Sequence, residues 1–307
     1  MKARILKILR AKTCVVSGEE LSSQLGVSRV SIWKHIRKLQ EVGYNLVSTP
    51  KGYQLISSPD IPFPWEFPGR ESSIHYFPEV GSTMDIARDM ARKGCRDFTV
   101  VIAGCQKKGR GRLKRVWLSS EGGLYFTIVV RPQIHAALSS RVNFCASLVL
   151  AQTLRRIFDV NAGVKWPNDI LVDGRKVVGM LSEMEAEADI VTFVNIGLGI
   201  NVNNDPSDKV PTASSLKKIL GRDISRKELL SVFLDQFETR INNKGFEDVI
   251  SEWKKNSITL KRHVKIVTNN NVSEGVAIDV DENGALILKV KDGSTKKIIY
   301  GDCFHEG

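Results

Sequence analysis

The sequence predicts an α+β multidomain protein: an N-terminal winged helix-turn-helix, a central domain mixing strands with helices, and a small all-β domain at the C-terminal end. Three observations carry that prediction. Pro59, Pro62, Pro64 and Pro68 prevent continuous helix or sheet over residues 57–69, so this stretch reads as a linker. From about residue 70 to 260, apolar runs such as VVIAG, LYFTIVV and VTFVNIGLGINV alternate with helical patterns at Ser82 to Lys93, Ala136 to Phe158 and Arg226 to Asn242. From Arg262 onward, the short strand candidates HVKIVT, SEGVAIDV, ALILKV and KKIIY are separated by NNN, DENG and KDGS turns, the pattern of a small barrel. The expected domains are therefore 1–60, 61–260 and 261–307.

At 307 residues and 42% hydrophobic, the chain has ample material for packed cores. No run approaches the roughly 20 apolar residues of a membrane helix, and the charged start MKARILKILRAKTC is unlike a signal peptide. A cytoplasmic protein with no membrane partner is expected. The five cysteines lie far apart without a CxxC pair, which suggests neither a zinc knuckle nor a disulfide framework, and no metal ligand set is assigned. Formal charge is +11, and residues 1–58 hold ten Lys or Arg against three Glu, so +7 of it falls in the first fifth of the chain. Such asymmetry points to nucleic acid; a merely solvated basic face is the plainer alternative.

Within that first fifth, Ile5, Leu6, Ile8 and Leu9 belong to one helix, and Glu19 to Leu25 to a second that stops at Gly26. Ser28 caps a third, because its side-chain oxygen accepts an otherwise unpaired first-turn N–H. Ile32, Ile36 and Leu39, at i, i+4 and i+7, face the core. Arg29, Ser31, Lys34, His35 and Lys38 are left to point outward. This is helix-turn-helix spacing, in which the second helix of the motif lies in the major groove. The candidate DNA contacts are Ser28, Arg29, Ser31, Lys34, His35, Lys38 and Lys51, the last at the basic tip of a hairpin between Tyr44 to Ser48 and Tyr53 to Ile56.

Four later segments carry chemistry. In QKKGRGRLKRVW (106–117), two glycines let the backbone approach a ligand, and Arg110, Arg112 and Arg115 supply rigid cationic forks suited to phosphate. Neither a P-loop nor G-x-G-x-x-G is present, and composition alone leaves a second nucleic-acid patch equally open. In VKWPNDI (164–170) and KVVGMLSE (176–183), a strand ending at Asn168–Asp169, a turn at Asp173–Gly174 and a returning strand from Lys176 form a hairpin. In VGSTMD (80–85), Ser82 followed by Asp85 reads as a capping box. In IGLGINVN (196–203), the glycines of a buried strand admit either a ligand or merely another strand.

In this order and spacing the four segments resemble the biotin protein ligases, and the N-terminal module makes the chain similar to those bifunctional members that also repress the biotin operon. The stretch GRGRLKRVW is similar to the family's G-R-G-R-x-x-R-x-W loop, and KWPNDI with KVVGMLSE to its second signature. The resemblance implies a mixed sheet related to class II aminoacyl-tRNA synthetases, followed by an SH3-like barrel. It implies contacts to biotin or biotinyl-AMP by Ser82, Thr83, Met84, Gln106, Arg110, Gly111, Arg112 and Lys176, with Lys176, Arg110 and Arg112 catalytic. Met84 stands where the family pattern has asparagine. Arg115, Trp117, Lys165, Asn168, Asp169 and Asn201 match positions for ATP or the adenylate, with Mg²⁺ accompanying ATP. A biotin carboxyl carrier protein, operator DNA and a homodimer loaded with biotinyl-AMP are the implied partners. Lipoate or octanoate ligases share the implied fold, but the arginine-rich loop argues against that substrate. Retention of Lys176 with the whole arginine loop argues against a mere ligand sensor.

Overall fold

In the computed structural model, which describes residues 1–268 and 271–305, residues 1–72 and 73–307 form two separate compact units. In the first, α1 (Lys2–Ala11) buries Ile5, Leu6 and Leu9. Helix α2 (Gly18–Leu25) begins at Ser17, whose hydroxyl accepts from Glu20 N–H at 3.0 Å, and ends at Gly26 with φ +67°. Helix α3 (Arg29–Gln40) is capped by Ser28, which accepts from Ser31 N–H at 3.2 Å, and buries Ile32, Ile36 and Leu39. Strands β1 (Asn45–Thr49) and β2 (Gly52–Ser57) form the hairpin wing, with Thr49 opposite Gly52.

The proline-rich stretch is not a free linker. Prolines block ladders and helices but not packing, and the aromatic residues between them are buried against the same unit. Phe63 and Phe67 are buried, Phe63 stacks on Trp65 at 4.6 Å, and Lys2 Nζ lies 3.7 Å above the Trp65 ring. Glu66 accepts from Arg10 at 2.9 Å and from the Tyr44 hydroxyl, whose pKa burial pushes upward.

The second unit is built on a mixed seven-stranded sheet. Strand β3 (Ile74–Val80) leads through α4 (Thr83–Arg92) to β4 (Thr99–Gln106), and β3 and β4 are parallel, as a helical crossover requires. Strand β5 (Leu124–Val130) follows, then α5 (Ser140–Phe158), whose residues Val142 to Ala151 are buried throughout. Strands β6 (Ala162–Lys165), β7 (Asp169–Val172), β8 (Arg175–Glu187) and β9 (Ile190–Ile200) are linked by successive reversals and pair antiparallel. The sheet order is β3-β4-β5-β9-β8-β7-β6. A single hairpin after Asn168 is therefore corrected to two in series: the chain turns at Trp166 to Asn168, since Pro167 has no N–H to continue a ladder, and again at Asp173–Gly174.

Helices α6 (Leu216–Leu220), α7 (Arg226–Lys244) and α8 (Val249–Asn256) come next. Phe233 and Phe237 of α7 stack at 5.6 Å, and Trp253 of α8 meets Phe144 of α5 edge-on at 4.9 Å. The chain ends in a five-stranded antiparallel sheet of β10 (His263–Val267), β11 (Val272–Val280), β12 (Leu286–Lys289), β13 (Thr295–Ile298) and β14 (Asp302–His305), ordered β13-β12-β11-β10-β14. Residues 269 and 270 of the expected NNN turn lie outside the described residues. Trp166 ties the two sheets together: its backbone N–H donates to Thr259 Oγ1 at 3.0 Å and its indole N–H to Gly284 O at 2.9 Å.

At the wing, Gly52 has φ +143°, and a Cβ there would lie 2.1 Å from Val16 O. Gly52→Ala is expected to destabilise the N-terminal unit by more than about 1 kcal/mol, read as a lower urea midpoint for that unit's transition.

Candidate active site and nucleic-acid interface

A cavity of about 740 Å³ in the second unit is lined by Ser82, Thr83, Met84, Gln106, Arg110, Gly111, Arg112, Arg115, Trp117, Lys165, Asn168, Asp169, Lys176 and Asn201. All the expected small-molecule contacts thus converge on one space from five chain segments.

The start of α4 forms one wall. Here the capping-box reading fails: Ser82 is the N-cap residue but its side chain makes no cap bond, and its buried hydroxyl has no partner among the described residues. Gln106 serves the helix end instead, its Oε1 accepting from Thr83 N–H at 2.8 Å and Thr83 Oγ1 at 3.1 Å. The other end of that amide donates to Ser119 Oγ at 2.9 Å, which fixes its orientation. Asp85, freed from capping, pairs with Arg88 at 2.9 Å and Arg110 at 3.0 Å.

The arginine loop closes on itself through Gly111 N–H to Arg115 O at 2.8 Å and Trp117 N–H to Gly109 O at 2.9 Å. Arg110 meets Glu183 at 3.2 Å. Arg112 donates to Asn168 Oδ1 at 3.2 Å and Gly301 O at 3.0 Å, and burial lowers its pKa, partly offset by Asp302 and Asp169. Arg115 pairs with Asp302 at 2.5 Å. Lys176 Nζ lies 2.7 Å from Asp169 Oδ1 and 5.4 Å from the Trp117 ring centroid. Asn201 Oδ1 accepts from Asn204 Nδ2 at 2.9 Å.

The glycines of β8 and β9 make room for side chains of the cavity, not for another strand. Gly179 and Gly199 are cross-strand partners, and a Cβ on either would lie within 2.5 Å of the Trp117 indole. A Cβ on Gly197 would lie 2.6 Å from Met84 Sδ. Met84 and Trp117 therefore rest directly on a backbone floor.

Sequence reasoning missed the contribution of the last strand and its neighbours. Arg262, Asp302, Cys303 and His305 also line the cavity, though they lie within or beside a segment read as a separate barrel. Nothing in their spacing signals it, apart from a polar run after the last recognised strand. Burial, then Lys165 and Arg262, lowers the His305 pKa to about 4, and its Nε2 is 3.2 Å from Thr259 Oγ1. Six Lys or Arg line the cavity against the two carboxylates Asp169 and Asp302, so the space selects anions. Among the described residues no cluster of three or more His, Cys, Asp or Glu is placed to hold a metal ion, and no helix is long and apolar enough to cross a membrane.

On α3 of the other unit, Arg29, Lys34 and Lys38 are exposed beside the exposed cap residue Ser28, while Ser31 and His35 are half-buried; Lys51 is exposed at the wing tip. Burial, aided by the chain's amino terminus, Lys2 and Lys38, lowers the His35 pKa. The same helix exposes Val30 and Trp33, at 61% and 51%, which the charge-based reading passed over. Arg37 sits 5.8 Å from the Trp33 ring centroid.

Comparison with known proteins agrees with this layout. Residues 76–201 match the biotin/lipoate A/B protein ligase family, residues 2–54 an HTH domain and residues 259–306 the biotin protein ligase C-terminal domain. The chain is 33% identical over 302 residues to the bifunctional ligase/repressor BirA of Bacillus subtilis, covering 94% of this chain and 93% of that protein. The chain belongs to the biotin protein ligase family. Another member of the family, BirA of Escherichia coli, is 28% identical over 295 residues, covering 93% of this chain and 91% of its own. A solved family structure, the Aquifex aeolicus biotin protein ligase in complex with biotin and ATP, superimposes with a TM-score of 0.64 at 28% identity, covering 76% of this chain and 98% of that one.

The low pKa of His305 has a stability consequence. The folded value of about 4 lies below the ordinary value of 6.5, so the unfolded chain takes up its proton first as pH falls. Stability present above about pH 6.5 is lost progressively toward about pH 4. His305→Gln is expected to flatten the decline in urea midpoint between pH 7 and pH 5.

Proposed function

We propose that the chain is an ATP-dependent biotin protein ligase that also acts as a DNA-binding repressor of biotin synthesis. The observation that carries this reading is the convergence of Arg110, Arg112, Arg115, Lys165, Lys176 and Arg262 on one cavity with an apolar floor. Such a space suits two anions, a carboxylate and a triphosphate, held side by side. It is also the kind of site the related ligases would need, and the Aquifex aeolicus relative was solved with biotin and ATP.

In this reading Ser82, Thr83, Met84, Gln106, Arg110, Gly111, Arg112 and Lys176 hold biotin. Arg115, Trp117, Lys165, Asn168, Asp169 and Asn201 hold ATP and the adenylate. The biotin carboxylate attacks the α-phosphorus of ATP, releasing pyrophosphate and forming biotinyl-5′-AMP. A lysine amine of a carboxyl carrier protein then attacks the acyl carbon, AMP leaves, and an amide results. No enzyme nucleophile is required. Lys176, Arg110 and Arg112 stabilise the negative charge that gathers on the α-phosphoryl oxygens. Mg²⁺ enters as MgATP: Asp169 and Asp302 are already paired with Lys176 and Arg115, which fits an ion carried mainly by the triphosphate.

We assign the first unit, residues 1–72 where the sequence suggested 1–60, to a winged helix-turn-helix, and within the second unit residues 73–260 to a catalytic domain related to class II aminoacyl-tRNA synthetases and 261–307 to an SH3-like barrel. The recognition surface comprises Ser28, Arg29, Ser31, Lys34, His35 and Lys38 on the second helix of the motif, with Lys51 on the wing. A cytoplasmic homodimer loaded with biotinyl-AMP presents two such helices to a two-fold operator.

Incubation with labelled biotin, ATP and a carboxyl carrier domain is expected to label the carrier, with labelled lipoate failing to compete. Lys176→Ala is expected to slow ATP–pyrophosphate exchange about 10²-fold; unchanged exchange would reject its role. Gel-shift titration is expected to give tighter operator binding with biotin and ATP present, and equal affinity in both conditions would remove the repressor half.

A further inference from the structure

We infer that Asn195 is a further specificity-determining residue of the cavity, presenting its carboxamide to the cyclic urea of the bound acid; the assignment rests on the ligase reading above. Asn195 lies in the middle of β9 and is fully buried, and neither its Oδ1 nor its Nδ2 has a partner among the described residues. An unpaired amide in an apolar interior is costly, so its presence calls for a partner not in the chain.

Its position says where that partner comes from. Cross-strand partners share a face of the sheet. Thr127 is opposite Gly197 and donates to Thr83 Oγ1 at 2.8 Å, and Glu183 is opposite Asn195 and meets Arg110 at 3.2 Å. Thr83, Arg110 and Gly197 line the cavity; Asn195 does not line it itself but stands on the same sheet face, next along β9 from Gly197. Along β9 on that face, Phe193 belongs to an apolar cluster with Ala87, Ala91 and Val129, whereas Gly197 is open to the cavity beneath Met84. Asn195 stands between them, one strand step of about 6.6 Å from Gly197.

A second hydrogen-bonding group waits on the same region: Ser82 Oγ, at the head of α4, is buried and has no partner among the described residues. Met84, whose thioether rests on Gly197, is an unbranched, adaptable side chain that can yield to a ring. A hydroxyl and a carboxamide flanking an apolar floor match a small ring that has both a carbonyl oxygen and ring N–H groups. A cyclic urea has both; a simple aliphatic acyl chain has neither.

The test is calorimetric titration of the full chain with biotin, with 2-iminobiotin, in which the urea oxygen is replaced by nitrogen, and with ATP. Asn195→Val keeps a strand-compatible shape. It is expected to weaken biotin about tenfold, the loss of one hydrogen bond, to shrink the preference for biotin over 2-iminobiotin, to leave ATP affinity unchanged and, by removing an unpaired buried amide, to hold or raise the thermal midpoint of the free chain. Asn195→Ser, measured in parallel, is expected to give the same loss and covers a Val variant that does not fold. Unaltered biotin affinity in either folded variant overturns the assignment, leaving the amide to a buried water. Equal weakening of biotin and ATP overturns it too, as damage to the fold. Wild-type chain that takes up no biotin overturns the ligase reading itself, an outcome visible before any variant is made.

Discussion

Gathering cations in one cavity is the constraint on which the ligase unit depends. Unopposed, like charges a few ångströms apart repel and resist folding, and the structure answers by giving the key cations a carboxylate: Asp169 for Lys176, Asp302 for Arg115, and Asp85 with Glu183 for Arg110. These pairs are partly exposed, a setting in which one pair contributes roughly 1 kcal/mol or less. The cations are thereby held in place yet remain free to exchange partners when an anionic ligand arrives. Arg112 differs, being largely buried and held by the neutral oxygens of Asn168 and Gly301, so its position changes least.

Holding charges at the rim leaves the floor to backbone. Gly179, Gly197 and Gly199 fall on neighbouring positions of β8 and β9, and removing their Cβ atoms lets the Trp117 indole and the Met84 thioether lie against the sheet itself. The Trp117 ring in turn offers its face to the Lys176 ammonium. One geometric concession in two strands thus sets the depth of the cavity, the seat of the aromatic ring and the reach of the lysine.

The C-terminal sheet closes the same space. Trp166 hydrogen-bonds to Thr259 and Gly284, and the arginine loop reaches Gly301 and Asp302. Catalytic sheet and small sheet are consequently parts of one site. The N-terminal unit has its own economy of aromatic packing and ion pairs, in which the prolines of residues 57–69 direct Phe63, Trp65 and Phe67 inward while denying the segment any ladder.

Much of the local structure was legible because its causes are local. Gly26 and Ser28 respectively end and begin helices through their own backbone and side-chain chemistry, and runs of apolar residues located β5 and β9 almost to the residue. The residue types for anion chemistry were equally legible, since arginine forks beside glycine and a lysine after a turn stand out in the chain. Other features depended on partners far away in sequence. Ser82 resembles a cap, but Gln106, 23 positions after Thr83, takes the first helical N–H and leaves the hydroxyl to the cavity. Strand β14, with the sequence DCFH, has no apolar run to signal it and exists because β10 supplies its hydrogen bonds, which is also why Asp302 and His305 went unseen as site residues. Sequence by itself determined which elements form and which charges are available; only tertiary structure decided which charges meet, because the energy of an ion pair or a buried amide depends on distance and solvent exclusion, and neither is written along the chain.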